Sequence, residues 1–271
     1  MRKLTPFALA AALLLCVSPA VAQKRETPAT PSELAEMTER GRQLAEYDVA
    51  AWHATDAVVA LSPPEGSVAR YIARKSGDGW TVAFGRFNEK RDKFLAVYEA
   101  TQGATPTEFR VKRHDPPKED ADFYLAAARA IDAALADFRG EERPYNVAAL
   151  PSKSGDVYVY VLPAQTKQGV YPHGGDALYL VSRDGAKIVE RRQMHRSIIE
   201  FQVGPDTKIG YHLVVLDNAP EDTDVFYVLS RTPRMPELIV TEKFVYHVET
   251  DGLVRYMTTR EAFLKIGKQP R

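Results

Sequence analysis

Apolar residues recur at two different spacings along this chain, and the change of spacing separates predicted helices from predicted strands. Over residues 31–61 they recur every three or four positions, which predicts a helix with one apolar face. Thr30, Pro31 and Glu33 form a capping box with proline in the first helical position, so the helix is expected to begin there. A second apolar stripe predicts a helix over residues 120–139.

Between and after these helices the apolar positions alternate. Residues 67–101 predict a meander of about three strands, and a fourth strand is predicted near residues 108–113. Residues 211–216 and 225–230 are apolar at both odd and even positions, which predicts central strands covered on both faces. The strands predicted after Arg143 are 145–150, 156–162, 177–183, 186–192, 194–203, 211–216, 224–230, 238–249 and 253–258.

Together these elements predict an α+β protein. It has predominantly antiparallel β-sheet and two main helices in its N-terminal half. The predicted organisation is a helix–β-meander–helix region over 31–140 and a β-rich region over 141–271. The pattern leaves open whether the two regions share one core.

The beginning of the chain has the three parts of a secretory signal peptide. Arg2 and Lys3 precede an apolar run over residues 7–17, and residues 20–22 (Ala-Val-Ala) form a cleavage site. We therefore expect cleavage after Ala22, a flexible tether over residues 23–30, and a periplasmic or secreted protein. The apolar run is shorter than the roughly 20 residues that a membrane-spanning helix needs, so no stable membrane insertion is expected after cleavage.

The single cysteine, Cys16, lies within this predicted signal peptide. A lipoprotein signal at Cys16 is disfavoured because the preceding residue, Leu15, is not small. After cleavage the chain has no cysteine, which excludes disulfides, thiolate metal sites and a cysteine nucleophile.

Charge and motifs exclude further function classes. The 36 basic residues equal the 36 acidic ones, which gives no support for a nucleic-acid partner. The chain contains no Gly-x-Ser-x-Gly, Walker, His-Glu-x-x-His or Gly-x-Gly-x-x-Gly motif. The sequence therefore predicts no cofactor apart from a possible divalent metal, and it leaves the catalytic residues unknown.

The first metal candidate consists of His195, His212, His247 and Glu249, all on predicted strands. His247 and Glu249 share a strand face, and neighbouring strands would bring the four residues together as nitrogen and oxygen ligands. Spacing alone does not establish that the strands are neighbours. The sequence by itself favours separate, hydrogen-bonded histidines.

The second candidate is an acidic loop with carboxylates at Asp217, Glu221, Asp222 and Asp224. Several carboxylates in one loop can bind calcium, but the glycine and the alternating ligand spacing of an EF-hand are missing. Capping and solvation of a chain connection is the favoured interpretation.

The third candidate is a ligand loop formed by His173, Gly174, Gly175 and Asp176. Paired glycines permit positive φ angles and a close approach of the backbone. In this hypothesis His173 acts as an acid or base that Asp176 orients. The alternative is a plain loop that leads into the next hairpin.

Three segments resemble a group of uncharacterised secreted proteins of Gram-negative bacteria. These segments are 170–176 (VYPHGGD), 195–200 (HRSIIE) and 220–229 (PEDTDVFYVL). The similarity covers about residues 145–258. Members of the group often carry a His-x-His pair before the third segment, whereas here His212 matches the first histidine and Val214 replaces the second. The resemblance implies secretion and the fold class, and it implies no activity.

The sequence therefore favours a soluble periplasmic binding or envelope-associated module with an unknown ligand or protein partner. The alternative is a divalent-metal-dependent enzyme with a His/Glu site in the β-rich half. A third hypothesis is a partner-binding protein that uses a sheet edge or the helix at 31–61.

Overall fold

The computed structural model describes residues 24–77, 79–204 and 206–266. The predicted signal peptide, with Cys16, lies outside these residues. The predicted α+β class is confirmed, because four helices combine with fourteen strands that pair mostly in antiparallel fashion. None of the helices in the described ranges is long and apolar enough to cross a bilayer.

The N-terminal half contains two helices and a four-stranded meander in the order β1-β2-β3-β4. The predicted capping box is confirmed, since Thr30 Oγ1 accepts from Glu33 N and the Glu33 carboxylate accepts from Thr30 N at 2.7 Å. β4 continues well beyond the predicted 108–113. The elements are α1 (Pro31–Val59), β1 (Arg70–Ser76), β2 (Gly79–Phe87), β3 (Phe94–Gln102), β4 (Phe109–Asp120) and α2 (Phe123–Asp137).

The C-terminal half contains two four-stranded sheets, in the orders β5-β6-β8-β9 and β11-β12-β13-β14, and a two-stranded ribbon of β7 and β10. β11 and β12 pair in parallel, with α3 as the connection between them. The elements are β5 (Tyr145–Pro151), β6 (Val157–Pro163), β7 (Val170–His173), β8 (Ala177–Val181), β9 (Ile188–Gln193), β10 (Ile199–Gln202), β11 (Gly210–Leu213), α3 (Asp222–Ser230), β12 (Glu237–Val240), β13 (Phe244–Val248), β14 (Val254–Thr259) and α4 (Arg260–Ile266).

Two predicted strands are wrong, and the strand predicted to be central over 211–216 is instead the edge strand β11, with Tyr211 and Leu213 exposed. Residues 224–230 form the helix α3, whose residues from Asp222 to Val228 are all buried. A segment buried on every side is apolar at both parities whether it is a helix or a strand, so periodicity alone does not separate the two. The predicted strand 194–203 contains strand structure only in β10, and its first five residues form a loop.

The hydrophobic core runs across the predicted boundary near residue 141. One cluster of buried residues joins Leu44 of α1 and Phe84 of β2 to Tyr160 of β6 and Phe226 of α3. A second cluster places Ile131 of α2 between the first two sheets. A third cluster packs α3 on the sheet β11–β14.

Helices α1 and α3 pack unusually closely at Gly41. A Cβ atom at position 41 would lie 2.4 Å from Val225 Cβ and 2.5 Å from the Asp222 carbonyl oxygen. Glycine is therefore required by packing at this position, since no side chain fits between the helices.

The segment predicted as a flexible tether makes specific contacts where it is described. Arg25 donates from its backbone N to Asp217 Oδ1, and Ala29 donates to the hydroxyl of Tyr246. Residues 24–30 therefore lie against β13 and the segment that follows β11.

Candidate metal centre

Three histidines and one aspartate meet in the interior of the C-terminal half. They are His173 at the end of β7, His195 in the loop after β9, His212 in β11 and Asp224 in the first turn of α3. One nitrogen from each ring and one carboxylate oxygen all lie within 4.8 Å of one another. None of the four side chains is more than 6% exposed. We call this group the His3Asp cluster.

The distances within the cluster resemble those between the ligands of a small metal ion. Asp224 Oδ1 lies 3.1 Å from Nε2 of His195, 3.1 Å from Nε2 of His212 and 3.6 Å from Nε2 of His173. Around a tetrahedral zinc ion with bonds of 2.0–2.1 Å, neighbouring ligand atoms are separated by about 3.3 Å. The three distances from Asp224 Oδ1 are therefore close to the spacing that such an ion would require.

Two glycines bring His173 and His195 together. Gly174 and Gly175 have positive φ angles of 87° and 66°. A Cβ atom on Gly174 would lie 2.3 Å from the carbonyl oxygen of Ser197, so only glycine lets the loop after β9 approach so closely. The predicted positive φ angles are present, but the glycines approach residues 195–198 of the chain itself, and binding of a ligand at this loop stays a prediction.

The start of α3 aims Asp224 at the histidines. Its Oδ2 atom accepts a hydrogen bond from the backbone N of Glu221 at 2.7 Å, as the returning half of a capping box. This bond fixes the carboxylate and leaves Oδ1 for the cluster.

Two further carboxylates orient two of the rings. Asp176 Oδ1 lies 2.8 Å from His195 Nδ1, and Glu237 Oε1 lies 2.7 Å from His212 Nδ1. A carboxylate at Nδ1 holds a proton there and leaves the lone pair on Nε2, as in many histidine–metal sites. Both Nε2 lone pairs are thus directed into the cluster.

The third ring has a different neighbour. Nη2 of Arg231 lies 2.8 Å from His173 Nδ1, and the ring stacks on Tyr227 with centroids 4.2 Å apart. Burial, and then the neighbouring His212, lower the pKa of His173 to about 4, so this ring is neutral.

The electrostatics of the other members follow from their opposite charges. Burial on its own would lower the pKa of His195, but Asp176 and Asp224 raise it well above the usual value. The pKa of His212 is raised in the same way by Asp224 and Glu237. Burial opposes ionisation of Asp224, yet His195 and His212 hold its pKa well below the usual value.

The fixed charges around the cluster do not cancel. Asp176, Asp224 and Glu237 are buried carboxylates, and Arg231 is the buried guanidinium beside them. Two negative charges are left without a fixed partner, and buried charge of this kind is costly unless it is compensated. A divalent cation, or protons on His195 and His212, would compensate it.

The first predicted metal set is divided by the structure. His195 and His212 meet, whereas His247 and Glu249 are not part of the cluster. His212 shares a cross-strand row with Tyr246, so the next residue, His247, faces the opposite side of the sheet. Glu249 pairs with Arg255 near the end of this hairpin.

The acidic loop does not form a joint site, because its carboxylates have separate partners. Asp217 pairs with Arg25, Glu221 with Arg192, and Asp222 with Arg40, while only Asp224 enters the His3Asp cluster. Asp224 caps the start of α3, but the predicted solvated strand connection is wrong, because Asp222 and Asp224 are buried in a helix.

The ligand loop contributes to the cluster in a way that differs from the prediction. His173 is a member, but Asp176 orients His195 and does not bond to His173. The glycines act through backbone conformation.

The sequence reasoning missed Glu237 and Arg231. The signal that could have identified Glu237 is a charged residue directly before the apolar run Leu238–Val240. Arg231 had no such signal, since it follows a segment that was interpreted as a strand.

No family model, no curated protein and no solved structure matches the chain. The chemistry of the His3Asp cluster is therefore the basis for a proposed function.

Proposed function

We propose that this protein binds one divalent transition-metal ion at the His3Asp cluster. One observation carries the proposal. Asp224 Oδ1 and the three Nε2 atoms converge on one point, are buried, and have no hydrogen-bond partner. Buried polar atoms in folded proteins are almost always paired, so four convergent unpaired atoms indicate a missing common partner.

Protons are a poorer partner than a metal ion. If His195 and His212 carried protons on Nε2, these groups would face Asp224 Oδ1 at 3.1 Å, yet neither makes a hydrogen bond of acceptable geometry with it.

The donor atoms select a class of metal. Imidazole nitrogen suits zinc and its first-row neighbours, whereas calcium and magnesium favour sites made of oxygen. We therefore choose zinc as the ion to test. The proposal agrees with the predicted divalent-metal site in the β-rich half. His173 and Asp224 take the place of His247 and Glu249 in the set of residues.

The ion would also act as a cross-link. The cluster that would hold it joins the β7–β10 ribbon, the loop after β9, the strand β11 and the helix α3. A metal held by the folded protein and not by the unfolded chain stabilises the fold by mass action.

We infer that the metal is bound outside the cytoplasm. The basic start, short apolar run and Ala-Val-Ala site of residues 1–22 support export and cleavage. Cell fractionation with N-terminal sequencing tests this inference. We expect periplasmic protein that begins at Gln23, and cytoplasmic protein with Met1 retained would contradict it.

The metal proposal is tested with protein purified without chelator and through a tag that lacks histidine. Elemental analysis is expected to find one zinc or related ion per chain. Chelation is expected to lower the melting temperature by about 5–10 °C, since an ion at 100 times its Kd contributes about 2.7 kcal/mol. Protein that contains no metal, and whose melting is unchanged by added zinc, would overturn the proposal.

A further inference from the structure

His173 differs from the other two histidines of the cluster in the atom that touches its Nδ1. For His195 and His212 this atom is a carboxylate oxygen, at 2.8 and 2.7 Å. For His173 it is Nη2 of Arg231, at 2.8 Å. The two carboxylates accept a hydrogen bond, whereas the guanidinium of Arg231 can only donate one.

The position of the proton on the neutral His173 ring follows. Because a guanidinium only donates, Nδ1 must use its lone pair to accept, and the ring proton is then on Nε2. The closest carboxylate oxygen to His173 Nδ1 is Glu237 Oε1 at 3.7 Å, which is too far for a hydrogen bond. That oxygen is already bound to His212 Nδ1.

Both partners are held in this arrangement. Arg231 forms an ion pair with Glu237 Oε2, and its guanidinium lies 4.4 Å from the centre of the Phe201 ring. His173 is fixed by its stack on Tyr227, at an interplanar angle of 28°. Neither side chain has an open space to turn into, since Arg231 and His173 are 2% and 3% exposed.

We propose that Arg231 keeps the ring proton of His173 on Nε2, so that His173 does not bind the metal. His195, His212 and Asp224 then hold the ion. This inference rests on the metal binding proposed above. Nε2–H of His173 then serves as a hydrogen-bond donor beside the remaining coordination positions. Two histidines and one carboxylate form a ligand set that leaves positions for exogenous ligands. The depth of burial restricts such a ligand to a water-sized hydrogen-bond acceptor, water or hydroxide.

X-ray absorption of the wild-type protein loaded with zinc gives the direct test. Outer-shell scattering is expected to show two imidazole ligands per ion. Three imidazoles would overturn the role of Arg231 and leave metal binding intact. A protein that takes up no zinc would instead overturn the metal proposal itself, so the two failures are distinct.

A matched series of asparagine variants gives an independent test. In His173→Asn the amide oxygen can still accept from Arg231, and in His195→Asn and His212→Asn the amide NH2 can still donate to Asp176 and Glu237. We expect His195→Asn and His212→Asn each to weaken zinc binding by more than about 100-fold, and His173→Asn by about 10–100-fold, the range typical for the loss of an outer residue. Equal losses in all three variants would overturn the inference.

A pair of substitutions at position 231 tests the positioning role itself. Arg231→Gln offers a carbonyl oxygen that can accept a proton from His173 Nδ1, which frees Nε2 to bind the metal. Arg231→Lys still offers only protons. With cobalt as the bound ion, the visible spectrum is expected to change in Arg231→Gln and to stay close to wild type in Arg231→Lys. Identical spectra in the two variants would contradict the proposal, and the first two tests decide it if either variant fails to fold.

Discussion

Two buried aspartates in the first turn of α3 have opposite surroundings. Asp222 faces α1 and the second sheet, where it accepts two hydrogen bonds from Arg40, at 2.8 and 2.9 Å, and one from Tyr160 at 2.7 Å. Asp224 faces the histidines, and its Oδ1 atom has no hydrogen-bond partner. The hydrogen-bonding capacity of Asp222 is met by protein groups, whereas Asp224 Oδ1 has no protein hydrogen-bond partner.

This contrast separates structural from functional burial of charge. A buried ion pair with complete hydrogen bonds stabilises the packing of its elements and has no capacity to bind anything else. A buried carboxylate that faces three imidazole nitrogens has the composition of a ligand set. The four predictions below test this division, in order of decreasing expected effect.

Asp224→Asn is expected to abolish metal binding. Its amide oxygen can still accept from Glu221 N, which keeps the helix cap, while the amide NH2 that then faces the histidines cannot coordinate a metal. We expect zinc affinity to fall by more than about 100-fold, as measured by competition with a chelating dye. Unchanged zinc affinity in a folded variant would remove Asp224 from the ligand set.

Asp222→Asn is the matched control on the same helical turn. It removes the charge that pairs with the partly buried Arg40, so the free energy of unfolding is expected to fall by about 2–4 kcal/mol. Zinc stoichiometry, measured below the melting temperature, is expected to remain at one. If this variant loses zinc and keeps its stability, the division between the two aspartates is wrong.

Asp48 differs from both of these aspartates, because burial favours its protonated form. Burial raises its pKa to about 6 in the folded protein, above the ordinary value of 3.8. A raised pKa means that the folded state binds the proton more tightly, so its contribution to stability is lost as the pH rises from about 4 to about 6. Asp48→Asn is therefore expected to gain about 1–2 kcal/mol at pH 7.5 and nothing at pH 4. Urea titrations at the two pH values measure this difference, and an equal gain at both would exclude the shifted pKa as its cause.

His247→Asn and Glu249→Gln are expected to have the smallest effect. His247 lies on the far face of the sheet and Glu249 pairs with an exposed arginine, for which a change of less than about 1 kcal/mol is typical. Zinc content and affinity should match the wild type. Loss of zinc in either variant would restore the residues that spacing alone suggested.

The regular elements with amphipathic faces could be predicted from the sequence. Thr30 and Glu33 mark the start of α1, and alternation identifies most strands of the sheets. The helix α3 could not be recognised, because residues buried on all sides carry no periodic signal. Consequently Asp224 was assigned to a loop.

The site could be predicted only in pieces. His173, His195, His212 and Asp224 were each singled out, but in three different sets, because the pairing that unites them joins segments distant in sequence. The parallel pair β11–β12 and the ribbon β7–β10 bring them together, and neither arrangement has a local sequence signature. Glu237 and Arg231, which fix the tautomers of two rings, were missed for the same reason.

The close packing at Gly41 makes the His3Asp cluster sensitive to a residue that is not part of it. An added methyl group at position 41 would meet Val225 and the backbone of Asp222, and relief requires α3 to shift. Asp224 is part of that rigid turn, so a movement that leaves every ligand chemically intact still separates its oxygen from the imidazoles. A substitution at Gly41 would therefore disturb the His3Asp cluster from a helix that contributes no member to it.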